Sequence, residues 1–383
     1  MEEIIFLDNA STTKINSEVN DLVYKTNIDD FYNPSALYHK SVLVQQKIED
    51  STNVIANALN VNSKNIIFTS GATEANNLAI LGSFTAKKDA EYIFSSGEHP
   101  SVYNTAKVLQ QKGCKVHLIN LLPNGQIDIE HLKSLLNNNT HFVSIMFVSN
   151  ETGVVNDIEY IGKILKNYNN KIIFHVDGVQ AFGKIKTDLS KLNVDAFTIS
   201  AHKFQGPKGI GALYYKNTNA LKTQIYGGGQ QQNLRSGTEN VSGILGMALA
   251  TKISQANIQT NYNNAVKCKQ YLINYINQNL KDIEYEINGE NTSPYITSIS
   301  FKGLKSEILM HMLEQNGLIV GTGSACSSKK QQNRVLENMN KKPEFIKGNI
   351  RISLSFDTTL QQIEKASKIL VDTVIKLKNQ IQK

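Results

Sequence analysis

The chain has 383 residues, 40% of them hydrophobic and 19% charged, which suits a soluble globular enzyme with one large domain and a smaller one. The net charge of +7 is spread over scattered lysines, and the pairs Lys87-Lys88, Lys329-Lys330 and Lys341-Lys342 have no aromatics interleaved; direct nucleic-acid binding is therefore not expected, although a basic surface suits an acidic protein or a tRNA as a transient partner. The three cysteines, Cys114, Cys268 and Cys326, form no C-x-x-C pair, which speaks against a disulfide framework or a zinc site. No apolar stretch nears the ~18 residues a membrane span needs. The acidic start Met1-Glu2-Glu3, with an apolar run only from Ile4 to Leu7, has neither a signal nor a transit pattern, so a cytoplasmic protein is expected.

Short apolar runs alternate with amphipathic segments. The candidate strands are 65–69, 91–95, 115–119, 142–148, 171–176, 196–200 and 212–215, and helical patterns cover 73–81, 101–112, 128–136 and 157–168. Such alternation predicts an α/β fold with a mostly parallel sheet covered on both faces, and ligands at the carboxyl ends of its strands. After about residue 255 the pattern changes to a long helix (about 257–280), strands near 298–301 and 348–353, and a closing helix from Leu360. The expected division is a large domain over 14–255 and a small α+β domain made of 1–13 and 256–383.

The polar residues that follow the strands carry the functional signal. Ser70-Gly71-Ala72-Thr73-Glu74 is a glycine turn running into a helix start, suited to a phosphate or to simple capping. Glu98-His99-Pro100, Asn150-Glu151-Thr152-Gly153, Asp177-Gly178-Val179-Gln180 and Ser200-Ala201-His202-Lys203 follow four further strands. A partly desolvated lysine at a strand end can hold an aldehyde as a Schiff base. The chemistry these groups share is that of pyridoxal 5'-phosphate. Lys203 would hold the aldehyde carbon, and Asp177 would keep the pyridine nitrogen protonated. The Ala72-Thr73 helix start, Ser200 and His202 would bind the phosphate. Gln180 would meet the phenolic oxygen, Asn150 the ring or the substrate, and His99 would stack on the ring and move protons.

With these segments, Leu7-Asp8-Asn9-Ala10-Ser11-Thr12-Thr13, Asn33-Pro34-Ser35, Arg235-Ser236-Gly237-Thr238 and Gly323-Ser324-Ala325-Cys326 stand in the same order and spacing as in a known family. The chain resembles the NifS/IscS-type cysteine desulfurases of the class V aminotransferase superfamily over nearly its whole length. The resemblance implies a homodimer of the fold-type I transferase class, with a seven-stranded sheet in the large domain and Thr238 reaching the neighbouring subunit's cofactor. It implies Cys326 as the nucleophile, on a mobile loop at about 321–335, and Arg351 as the clamp for the substrate carboxylate. The implied reaction converts L-cysteine to L-alanine and leaves sulfur on Cys326 as a persulfide. That sulfur would pass to an acceptor, an iron–sulfur scaffold protein or a tRNA-thiolating enzyme. No metal site is expected beyond a transient iron–sulfur contact through Cys326.

Two segments depart from the family pattern. Lys329-Lys330-Gln331-Gln332-Asn333 replaces a Ser-Leu-Glu-Pro-like continuation, and no glycine follows shortly after His39. The first change bears on the acceptor. The long interval between Cys326 and Arg351 fits the group with the extended cysteine loop. The alternatives are a selenocysteine lyase, another class V enzyme, or a non-catalytic partner platform. The presence of Lys203, Asp177, His99, Cys326 and Arg351 together speaks against the last.

Overall fold

The structure, a computed structural model, describes residues 4–322 and 333–381. Twelve strands are present among them: β1 Ile5–Leu7, β2 Ile66–Thr69, β3 Glu91–Ser95, β4 Lys115–Ile119, β5 Thr140–Met146, β6 Ile173–Asp177, β7 Ala196–Ser200, β8 Gly211–Tyr215, β9 Tyr285–Asn288, β10 Ile296–Phe301, β11 Leu318–Val320 and β12 Asn349–Ser353. Seven of them form the central sheet in the order β2-β8-β7-β6-β5-β3-β4. The pairs β3–β4, β3–β5, β5–β6 and β6–β7 are parallel, whereas β8 runs antiparallel to both β7 and β2. Two reversals restore direction, so β2, β3, β5, β6 and β7 all end at one edge. β7 is buried throughout and β6 nearly so, which is why each reads in sequence as a continuous apolar run rather than an alternation.

Helices cover this sheet. Each predicted helix is present, starting at a polar cap where the sequence offers one. Asp157 Oδ1 accepts from Tyr160 N at 3.0 Å to open Ile158–Tyr168, and Asp128 Oδ1 accepts from His131 N at 3.0 Å to open Ile129–Leu135. Seven helices among the described residues lay outside the predicted pattern: Leu189–Leu192, Ser306–Gln315, Arg334–Asn338, Pro343–Ile346 and, packed together, Ser17–Asp29, His39–Leu59 and Val241–Ala256. The last packs against the two named before it and buries ten of its sixteen residues. A helix enclosed on most sides has no polar face to make a period visible.

The chain beyond residue 257 builds the predicted long helix, Ile258–Asn279, then an antiparallel sheet β12-β10-β9 and the closing helix Leu360–Ile381. A second hydrophobic core joins these elements to Ile5, Leu7 and Ala10 near the start of the chain. β1 pairs in parallel with β11, which returns the N-terminal segment to the C-terminal part of the chain. Among the described residues, no helix is long and apolar enough to cross a membrane.

Candidate active site

The strand ends open into one cavity of about 610 Å³. Its wall includes Ala72, Thr73, His99, Asn150, Asp177, Gln180, Ser200, His202, Lys203 and Arg351; the structure thus brings together ten of the twelve site residues expected from sequence. Thr238 is exposed and lies outside this single chain's cavity. Cys326 lies outside the described residues, while Thr322 and Asn333, the described residues on either side of that gap, both line the cavity.

Lys203 ends the short turn Ala201–Lys203 that follows β7. Its Nζ donates to the carbonyls of Ala10 and Ser11, each at 2.7 Å. The N-terminal segment straps this turn in place. Thr13 donates through both N and Oγ1 to the His202 carbonyl, each at 2.9 Å, and Thr13 Oγ1 accepts from Gln205 N at 2.8 Å. Gln205 has φ of 65°, a left-handed conformation that a non-glycine residue adopts only when its surroundings hold it there.

Asp177 is the last residue of β6, next to β7. Its Oδ1 accepts from Val179 N at 3.1 Å, and its Oδ2 accepts from Asn76 Nδ2 at 2.9 Å. The same Asn76 amide donates to Ser101 Oγ at 2.9 Å, and Ser101 Oγ lies 2.8 Å from His99 Nδ1. His99 caps the helix Pro100–Gln111, its Nδ1 accepting from Ser101 N at 3.1 Å. A ring nitrogen that accepts a backbone N–H is the unprotonated one, so neutral His99 carries its proton on Nε2. Burial, opposed by Asp177 and reinforced by Lys203, Arg334 and Arg351, pushes the His99 pKa down and favours that neutral form. Burial likewise takes His202 down to about 4.

Opposite the lysine, the helix Ala72–Gly82 starts at Gly71, which has φ of 153° and supplies no side-chain cap. Its first N–H groups therefore point at the cavity with the positive end of the helix dipole behind them. Gly71 and Gly211 pack so closely that a Cβ on Gly211 would come within 2.8 Å of Gly71 Cα. Glu74 accepts from Ser70 N at 2.9 Å and pairs with Arg235 at 2.8 Å. Burial opposes the Glu74 carboxylate, but these partners outweigh it and hold its pKa below the ordinary value.

Arg351, on β12, is 5% exposed. It donates to Asp8 Oδ1 and to the Asn150 carbonyl, each at 2.7 Å, and its Nε is buried without a partner. Arg334 also lines the cavity, donating to the Ser96 and Glu98 carbonyls with its guanidinium 4.0 Å from the Tyr103 ring. Burial raises Glu98 to about 8 and Glu151 to about 7.

The aminotransferase class-V family model matches residues 5–366. The cysteine desulfurase IscS of Buchnera aphidicola subsp. Baizongia pistaciae is 39% identical, over 98% of this chain and 94% of its own. A solved NifS-like protein superposes with a TM-score of 0.92 at 30% identity, covering 98% of this chain and all of the other. The NifS-like protein from Rickettsia africae gives 0.87 at 32%, covering 97% and 100%. The chain belongs to the class V aminotransferase family, in its NifS/IscS cysteine desulfurase branch.

Class V enzymes use pyridoxal phosphate, and this member's cavity fits it. An uncapped helix start faces a lysine, and a buried carboxylate stands at the adjacent strand end. Sequence reasoning gave no role to Asn76, Ser101, Arg334, Asp8 and Lys184. Asn76 and Ser101 sit on helical faces that read as ordinary polar positions; only the fold brings them between Asp177 and His99.

Proposed function

We propose that this class V member converts L-cysteine to L-alanine. Pyridoxal phosphate, held by Lys203, would supply an electron sink beside the substrate's α-carbon. The Ala72-Thr73 helix start, Ser200, His202 and, from the other subunit of a homodimer, Thr238 would bind its phosphate. Asp177 would hold the ring nitrogen's proton, Gln180 would donate to the phenolic oxygen, and Asn150 would touch ring or substrate. Arg351 would take the substrate carboxylate, and His99 Nε2 would carry protons. Cys326, as thiolate, would attack the substrate sulfur. The substrate's C–S bond breaks, an S–S bond forms on Cys326, and the carbon that loses sulfur takes up a proton, so two thiols yield alanine and one persulfide.

The observation that carries this reading is the meeting of Lys203, Asp177 and an uncapped helix start in one cavity. The homodimer belongs to this reading because Thr238 is exposed and lies outside the cavity of its own chain. A core drawn mainly from residues 19–250 and another drawn from 5–10 and 265–377 support a division into a large domain, 14–255, and a small one made of 1–13 and 256–383, although Val335, Leu336 and Met339 pack into the first core. We assign the protein to the cytoplasm and its sulfur to an iron–sulfur scaffold or a tRNA-thiolating enzyme. The test is to give the purified, cofactor-loaded protein cysteine without reductant. One added sulfur on the Cys326 peptide, with stoichiometric alanine, is expected. Persulfide on Cys114 or Cys268 alone, or alanine release by Cys326→Ser at the wild-type rate, overturns it. Selenocysteine in parallel distinguishes a lyase.

A further inference from the structure

Lys184 is a buried lysine to which the reaction assigns nothing. It is 2% exposed and does not line the cavity. It lies one turn after Gln180, and its Nζ donates to Gln180 Oε1 at 2.9 Å. The other end of that amide, Nε2, donates to the Ala10 carbonyl at 2.9 Å, the same oxygen that accepts from Lys203. Three groups are thus joined through two acceptors at the cavity floor. The groups that face Lys184 are Gln180, the Tyr295 ring at 6.0 Å, and the charges of Lys203 and Arg351. Burial first, then those two cations, brings its pKa down to about 7.

A glutamine amide can present either its oxygen or its NH2, and only its neighbours decide which. Lysine settles the matter here. As ammonium it has donors alone, so Oε1 must turn to it and Nε2 must turn away, towards Ala10 and the cavity. A methionine or alanine at 184 would leave the amide free to flip. Burying an ammonium is also costly, so a lysine kept here without a stabilising ion pair among the described residues points to work on its neighbour.

We infer that Lys184 is the positioning residue for Gln180: it holds the amide with Nε2 presented to the phenolic edge of the bound ring. This rests on the proposed cofactor and on Gln180's place beside it. A donor at that oxygen favours the more negative form of the lysine-bound chromophore. Letting the amide turn away should therefore raise the pH midpoint of its visible absorbance change.

The experiment loads wild type, Lys184→Met, Gln180→Leu and the double variant with pyridoxal phosphate and titrates the visible spectrum of each. Lys184→Met should keep the borohydride label on Lys203 and melt no lower than wild type, because it removes a buried charge. Its midpoint should rise by roughly one pH unit, Gln180→Leu should rise alike, and the double variant should rise no further, since the two act as one unit. Lys184→Gln, a neutral group that does not dictate the amide's orientation, carries the same comparison if the methionine variant fails to fold. A midpoint unchanged in the Lys184 variants, or shifts that add in the double variant, overturns the role of Lys184. Wild type that takes up no pyridoxal phosphate overturns instead the function on which it rests.

Discussion

The two walls of the cavity are built differently. The wall formed by the ends of β6 and β7 is tied down: Asp177 has partners on both oxygens, Lys203 has two carbonyls, and Gln180 has a partner at each end. The facing wall, around β12 and the turns after β3 and β5, keeps buried polar atoms without partners: Arg351 Nε and Glu151 Oε2 on residues that line the cavity, and Glu98 Oε2 behind them. An unpaired buried polar atom costs stability, so a cluster beside a cavity marks the side kept ready for a polar guest. The first wall suits a resident group that must not move. The second suits a substrate that arrives and leaves.

If the walls divide the labour in this way, their variants should fail differently. Lys203→Ala should lose alanine production by about 10³-fold or more, since no other group replaces a covalent anchor. Loss of the borohydride label from the peptide that carries residue 203 checks the assignment, and a label that persists on another lysine would refute it. Arg351→Ala should instead leave cofactor content near wild type and raise the KM for cysteine about 100-fold, the worth of a charge-assisted pair of hydrogen bonds. An unchanged KM would mean that the facing wall does not hold the carboxylate.

The tied-down wall was the legible one. Its residues come directly after apolar strands, so the period-free runs before Asp177 and Lys203 announce both the strand and the edge where each residue emerges. The facing wall is assembled from distant stretches. Asp8 meets Arg351 only because β1 pairs with β11, whose following residue Gly321 bridges to Arg351. Arg334 reaches Ser96 and Glu98 across more than two hundred residues. No local pattern reports such meetings. The resemblance supplied Arg351, yet gave no role to Asp8 or Arg334. Strand direction was legible only in part: the antiparallel β8 was not distinguishable from its parallel neighbours, because a doubly buried strand reads alike either way.

Between the walls stands the relay from Asp177 through Asn76 and Ser101 to His99. Ser101→Ala keeps the backbone cap on His99 Nδ1 but removes the hydroxyl. It should lower kcat about 10-fold with little change in KM. A rise in KM alone would mean that the relay serves binding, and the contrast between the walls would blur.

The smallest effect concerns Glu98, whose side chain is 1% exposed. Its Oε1 accepts from Met146 N at 2.6 Å, and its Oε2 has no partner. Burial, with Asp177 nearby, raises its pKa from 4.5 to about 8. The folded protein then holds a proton that the unfolded chain releases near pH 4.5. The stability this gives is full below about 4.5 and is lost as pH rises through about 8. Lys184 acts in the opposite sense: its pKa falls from 10.5 to about 7, so its contribution is present above about 10.5 and is lost as pH falls through about 7. Comparing Glu98→Gln with wild type cancels the Lys184 part. The amide keeps an oxygen for Met146 N and cannot ionise, so the variant should lose less stability than wild type between pH 6 and pH 9. Melting temperatures at the two pH values read this directly. Parallel declines would mean that Glu98 ionises normally in the fold, and the facing wall would then hold a charge rather than a neutral acid.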